Sequence, residues 1–334
     1  MPRLDEKALL VKLSISQWTA RKEDKKVTKE VEDNHHAANA GRYHKHLLAK
    51  TALEKIQKNV NEACTYHYTH TLPWSIDGQD ILPTKIYFEY TQAIGKFKAT
   101  HESNVTDFLF NYPQYIEEAK KRLNGLFKQE DYPPVDKLKK LFSFSIQFYP
   151  LPAASDFRVE LGKDEIDRIK TDLERQLKNT EQQAIKDLWE RLYKTVSHAA
   201  ERLGDSKAVF RNTLIENIQE LVNLLPKLNF TDNPDLEKMR REVESKLLKF
   251  SPEILRDDKQ AREQTAKEAK NLLSGIKPYL DNGEEKTPET SPTAAPPETT
   301  PPGWSKVEAS PEGKPKTTAP EEAKAKLAAM QTLF

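Results

Sequence analysis

From Lys163 to Leu203 apolar residues recur at steps of three, four or seven: Ile166, Ile169, Leu173 and Leu177, then Ala184, Leu188, Leu192, Val196 and Leu203. That periodicity lines them along one side of a single α-helix. At 1.5 Å per residue the rod is roughly 60 Å long, too long to lie inside one small globule. Its apolar side must be covered along its length by partner helices, in an extended hairpin or bundle.

The following segments supply such partners. Gly204-Asp205 ends the long helix, and Phe210, Leu214, Ile218, Val222 and Leu225 form the next, which is expected to stop at Pro226. Asp232-Asn233-Pro234 is a cap-like start for a third helix carrying Leu236, Met239, Val243 and Leu247. A last helix after Pro252 fades by Pro278.

The first half of the chain is mixed. Val11 to Ser16 alternates in the manner of a half-buried strand, and Phe142, Phe144, Ile146 and Phe148 alternate strictly with polar neighbours. Phe157 to Leu161 reads as a third strand turning at Gly162. Leu47-Leu48, Leu53, Ile56 and Val60 have helical spacing, and Leu72-Pro73-Trp74 with Asp77-Gly78 marks a loop or short hairpin. Helical spacing returns from Thr84 to about Asn111, where Pro113 is expected to start a new segment.

Composition changes at the C-terminus. Nine of the 21 prolines fall between residues 281 and 320, among Thr, Glu and Ala. Such a stretch cannot offset its ordering entropy by burial and reads as a disordered tether spanning roughly 35 Å. After Pro320, Leu327, Met330, Leu333 and Phe334 fall on one side of a short helix, a pattern for docking in a partner's groove. The expected fold is mostly α: long antiparallel helices in an extended hairpin or bundle, a small antiparallel sheet, and a disordered C-terminal tail. Four regions follow: 1–162 mixed α/β, 163–280 long helices, 281–319 a Pro/Thr/Glu-rich linker, and 320–334 the short helical motif.

Several chemistries are excluded by arithmetic. The chain has 10 glycines and the closest two, Gly275 and Gly283, are eight positions apart. Phosphate loops, dinucleotide fingerprints and nucleophile elbows all need closer pairs. One cysteine, Cys64, permits no internal disulfide, and burial or idleness explains it better than nucleophilic catalysis. No apolar run reaches the roughly 18–20 residues that span a bilayer, and the start of the chain lacks the pattern of a secretory signal. The expectation is a soluble, cytoplasmic protein.

Candidate binding residues cluster near the N-terminus. Residues 1–58 hold 13 Lys/Arg against 8 Asp/Glu, although the formal net charge is only +1. Trp18, Arg21, Lys22, Lys25, Lys26, Arg42, Tyr43 and Lys45 mix cations with aromatic faces, as nucleic-acid binders do. Glu23, Asp24, Glu30, Glu32 and Asp33 are interleaved and weaken the field, so a plain solvated helix face competes with that reading. Six of the eight histidines lie between residues 35 and 70. With Cys64 they suggest a metal site, but their spacing matches no ligand set; His44 and His46 would share a face only on a strand, in a context that argues helix. His101-Glu102 opens like a zinc-protease helix, but position 105 is Val. No metal, cofactor or catalytic residue is assigned.

Several segments together carry a resemblance: Trp18-Thr19-Ala20-Arg21-Lys22, Ala40-Gly41-Arg42-Tyr43, Leu72-Pro73-Trp74, Asn111-Tyr112-Pro113, Arg122-Leu123-Asn124-Gly125, and Asp187 to Tyr193 followed by His198. The set, over about residues 1–275, resembles a family of uncharacterised phage and bacterial proteins, a domain of unknown function. Its members sit near genes for a MoxR-type AAA+ ATPase and a von Willebrand A-type protein. The resemblance implies a protein partner and carries over no catalytic residue. Taken together, the expectation is a non-enzymatic interaction or adaptor protein, phage-encoded and acting in the host cytoplasm, working with an ATPase or nucleoprotein. The rivals are a nucleic-acid binder using residues 18–45 and a metal-dependent enzyme using the His-rich 35–70 segment.

Overall fold

A computed structural model describes residues 4–74, 78–152, 163–205 and 208–281. A helical turn, α1 (Leu4–Lys7), leads into β1 (Ala8–Ser16), followed by β2 (Arg21–Glu23), α2 (Lys25–Asn34) and β3 (His44–His46). Next come α3 (Glu54–His70), the short strands β4 (Leu72–Pro73) and β5 (Asp80–Pro83), and α4 (Tyr87–Leu123). After α5 (Val135–Lys139) and β6 (Ser143–Pro150), the rest is helical: α6 (Lys163–Gly204), α7 (Thr213–Leu228), α8 (Pro234–Leu247), α9 (Pro252–Asp257) and α10 (Lys259–Asp281). Among the described residues, no helix is long and apolar enough to cross a membrane.

β1 is an inner strand of a four-stranded sheet ordered β4-β5-β1-β6, with every pairing antiparallel. β6 keeps the alternation of its sequence, Phe144 buried and Ser143, Ser145 and Gln147 exposed. The remaining strands are the β4–β5 hairpin. The strand expected at 157–161, the linker and the docking residues Leu327, Met330, Leu333 and Phe334 lie outside the described residues.

The long helix begins and ends where its periodicity does. Its buried residues run from Thr180 to Leu203, while Ile166, Ile169, Leu173 and Leu177 are half-buried. α10 lies antiparallel to it: Trp189 stacks on Tyr279 with centroids 4.1 Å apart, and Arg262 donates to the carbonyls of Arg202 and Leu203. α3 and α4 are also antiparallel, with Tyr66 against Phe97 and Asn104 donating to the carbonyl of Lys55.

Three local expectations are corrected. Pro113 does not break the chain but sits inside α4, on its exposed side. Interior proline costs about 3 kcal/mol, and burial of Val105, Phe108 and Tyr112 before it and Ala119 after it outweighs that. Pro226 is likewise absorbed in α7, which buries Leu228 beyond it. The context of His44 and His46 argued helix, yet they form β3, paired antiparallel with β2, which turns the intervening Lys45 toward Asp24 and Asp131.

Candidate functional site

β2 and β3 pair antiparallel, Arg21 opposite His46, Lys22 opposite Lys45 and Glu23 opposite His44. The ribbon is closed at both ends by backbone bonds, Leu47 N–H to the Ala20 carbonyl at 2.8 Å and Asp24 N–H to the Tyr43 carbonyl at 2.9 Å. Asp24 then caps α2, its side chain accepting from the N–H groups of Lys26 and Val27. The far end of α4 anchors the ribbon: Arg122 donates to the carbonyls of His46 and Leu47, and the Tyr132 hydroxyl also donates to Leu47. Arg122-Leu123-Asn124-Gly125 therefore does structural work, with Asn124 at φ +44° making the turn.

Lys45 points inward and is 3% exposed. Its ammonium lies 2.7 Å from Asp131 Oδ2, 3.3 Å from Asp24 Oδ2 and 2.9 Å from the Leu126 carbonyl. Burial pulls the Lys45 ammonium down, but its bonds to Asp131 and Asp24 outweigh that and leave its pKa raised. Burial likewise pushes the Asp24 carboxyl up, and the Val27 N–H and Lys45 more than reverse it, leaving its pKa lowered. Lys45 is thus a neutralised core cation and offers no charge to a surface ligand, contrary to its place among the candidate binding residues. Lys22, on the same face of the ribbon, reaches Asp131 Oδ1 at 3.4 Å from the solvent side.

Above this cluster is an open groove of about 370 Å³. Trp18, Leu47, Tyr132 and Pro133 give it apolar walls, and Arg21, Lys22 and Lys137 supply cations, with Glu130 and Asp131 as the acidic counterweight. Trp18 is half-buried, its ring edge-on to Tyr112 at 5.9 Å and tilted to Phe108 at 6.4 Å. Beside the groove, burial lowers the pKa of His46, and Arg21, Lys50 and Arg122 lower it further.

No family model, curated protein or solved structure matches this chain.

Of the eight candidate binding residues, the structure brings Trp18, Arg21 and Lys22 together in the groove. Lys25 and Lys26 are exposed on the first turn of α2, where Lys26 lies 3.9 Å from Glu30. Arg42 and Tyr43 are exposed at the edge of β3, and none of these four lines the groove. Lys137, Tyr132 and Pro133 were missed by sequence reasoning, because they come from more than 80 residues away and only the bonds of Asp131 to Lys45 and of Tyr132 to the Leu47 carbonyl bring their segment to the ribbon.

The histidines disperse. Among the described residues, no three His, Cys, Asp or Glu side chains converge to hold a metal ion. His67 is buried between Tyr90, 2.6 Å from Nδ1, and Asp80, 2.9 Å from Nε2. Burial pushes the Tyr90 phenol far up, so it stays protonated. With the phenol fully buried, this chain ties α3, α4 and β5 together. His70 stacks on Tyr66 at 3.8 Å, and burial raises the pKa of the Cys64 thiol, the opposite of an activated nucleophile.

Proposed function

We propose that this protein is a non-enzymatic adaptor that receives an acidic, partly apolar segment of a protein partner in the groove between the β2–β3 ribbon and α5. The observation that carries the reading is the groove's composition: aromatic and proline walls beside three unburied cations, Arg21, Lys22 and Lys137. Peptide-recognition grooves combine the same parts, apolar pockets for affinity and charge for orientation. The partner implied by the family resemblance is a MoxR-type AAA+ ATPase.

A nucleic-acid reading draws on the same cations. It is the weaker one, because Trp18 is packed edge-on against Tyr112 and Phe108 instead of offering a free stacking face, and Glu130 stands where a phosphate would pass. Interferometry with a purified MoxR-type ATPase of the same host, in parallel with single- and double-stranded oligonucleotides over a salt series, separates the two. Arg21→Glu with Lys137→Glu, both exposed, should abolish ATPase capture while leaving the melting curve unchanged. Oligonucleotide binding that weakens steeply with salt and is lost in the same variant would replace the adaptor reading with the nucleic-acid one.

A further inference from the structure

α4 carries a second face that the rest of the described chain leaves open. Its buried side, with Tyr90, Ile94, Val105 and Phe108, packs into the body. On the opposite side, Phe88 and Phe110 are 83% and 84% exposed, the most exposed aromatic rings among the described residues. Gln92 and Thr106 lie inside them, then Gly95 and Ser103, with Ala99 at the centre, and all are exposed. A Cβ built on Gly95 would meet nothing within 4 Å.

The order of these positions is its own reverse. From Phe88 the steps run four, three, four to Ala99, then four, three, four to Phe110. Steps of three and four keep one line in contact along a neighbouring helix. A line that reads alike in both directions sets residues of like size opposite one another when two copies pair antiparallel about a two-fold axis passing beside that midpoint. Antiparallel pairing would set Phe88 against the second copy's Phe110 at each end, Gln92 against Thr106, Gly95 against Ser103, and Ala99 against itself. Small residues at the centre let the backbones approach, and each end closes with a pair of aromatic rings. No charged residue lies on the line.

We infer that the protein forms an antiparallel homodimer through the exposed face of α4, with the two-fold axis at Ala99. This interface is separate from the groove and does not rest on the adaptor reading.

The test uses the full chain in a Cys64→Ser background, which removes the native thiol. Sedimentation over a concentration series should show a monomer–dimer equilibrium. Phe88→Glu, at a fully solvated position, should leave the circular dichroism melt unchanged and weaken dimerisation by about tenfold or more. Under mild oxidation, Ala99→Cys should cross-link to a dimer. Phe88→Cys alone should not cross-link, but mixing it with Phe110→Cys should produce the disulfide dimer. A monomer at every concentration, a dimer indifferent to Phe88→Glu, or self-cross-linking of Phe88→Cys would each overturn the inference.

Discussion

Replacing His101 by Leu should make this protein more stable, although the change removes a buried side chain from the middle of α4. His101 is 2% exposed, its ring packs on Phe144 with centroids 5.6 Å apart, and neither ring nitrogen has a hydrogen-bond partner. Asn59 Oδ1, buried on α3, also lacks one. A buried polar group without a partner costs about 1–3 kcal/mol, and a leucine of similar bulk restores apolar contact at a repacking cost below about 1.5 kcal/mol. The net gain should be about 1–2 kcal/mol, or a rise in Tm of roughly 2–6 °C for a body of this size. The pH dependence adds a second readout. Burial holds the His101 imidazole below its ordinary value, so the unfolded chain takes up the proton first. Stability is therefore fully present above the unfolded pKa of about 6.5 and is lost as pH falls below it, by up to about 1.4 kcal/mol per pH unit. His46 and His70, also held low by burial, keep their share in the variant, so its advantage should widen on acidification. Urea unfolding followed by circular dichroism at about pH 7.5 and about pH 5 measures both effects. A variant less stable at neutral pH, or with an advantage that does not grow in acid, would show that His101 has a partner in solution.

Lys45→Met should cost about 3–5 kcal/mol by leaving Asp24 and Asp131 buried without their cation, while Lys22→Met, half-exposed over the same carboxylate, should cost less than about 1 kcal/mol; paired urea melts compare them. The same cluster sets an acid limit, because the lowered pKa of Asp24 contributes stability above about pH 4 that disappears as pH falls through its folded value. Leu188→Asp places a charge in the seam where α6 is fully buried and should cost about 3–5 kcal/mol, read as a lowered Tm. Deleting residues 320–334 should leave Tm unchanged and abolish capture of the MoxR-type ATPase if Leu327, Met330, Leu333 and Phe334 form its docking helix. Retained capture would assign recognition to the groove alone.

Period-based features were legible wherever a single local pattern decided the outcome. The span of α6, the Asn233 cap of α8 and the alternation of β6 follow from spacing and side-chain chemistry that neighbouring residues share. Proline was misread at Pro113 and Pro226, and again at Pro278, which lies inside α10 instead of ending it, because its local cost is fixed while the burial that offsets it comes from distant elements. The candidate site divided in the same way. Trp18, Arg21 and Lys22 are near neighbours in sequence and stayed together, whereas Lys45 was recognisable as a cation but not as a buried one.

By itself, the sequence determined the helical class, the length of the long helix and the strands β1 and β6, since each depends on the 3.6- or 2-residue repeat of one segment. Tertiary structure alone decided what the charged groups do. Lys45 is neutral in effect because Asp131, 86 positions away, folds against it, and His101 is uncompensated because what packs on its ring is Phe144 of β6, which supplies no partner. Charge and hydrogen bonding are settled by which groups lie within a few ångströms in space, and that proximity has no signature in local spacing.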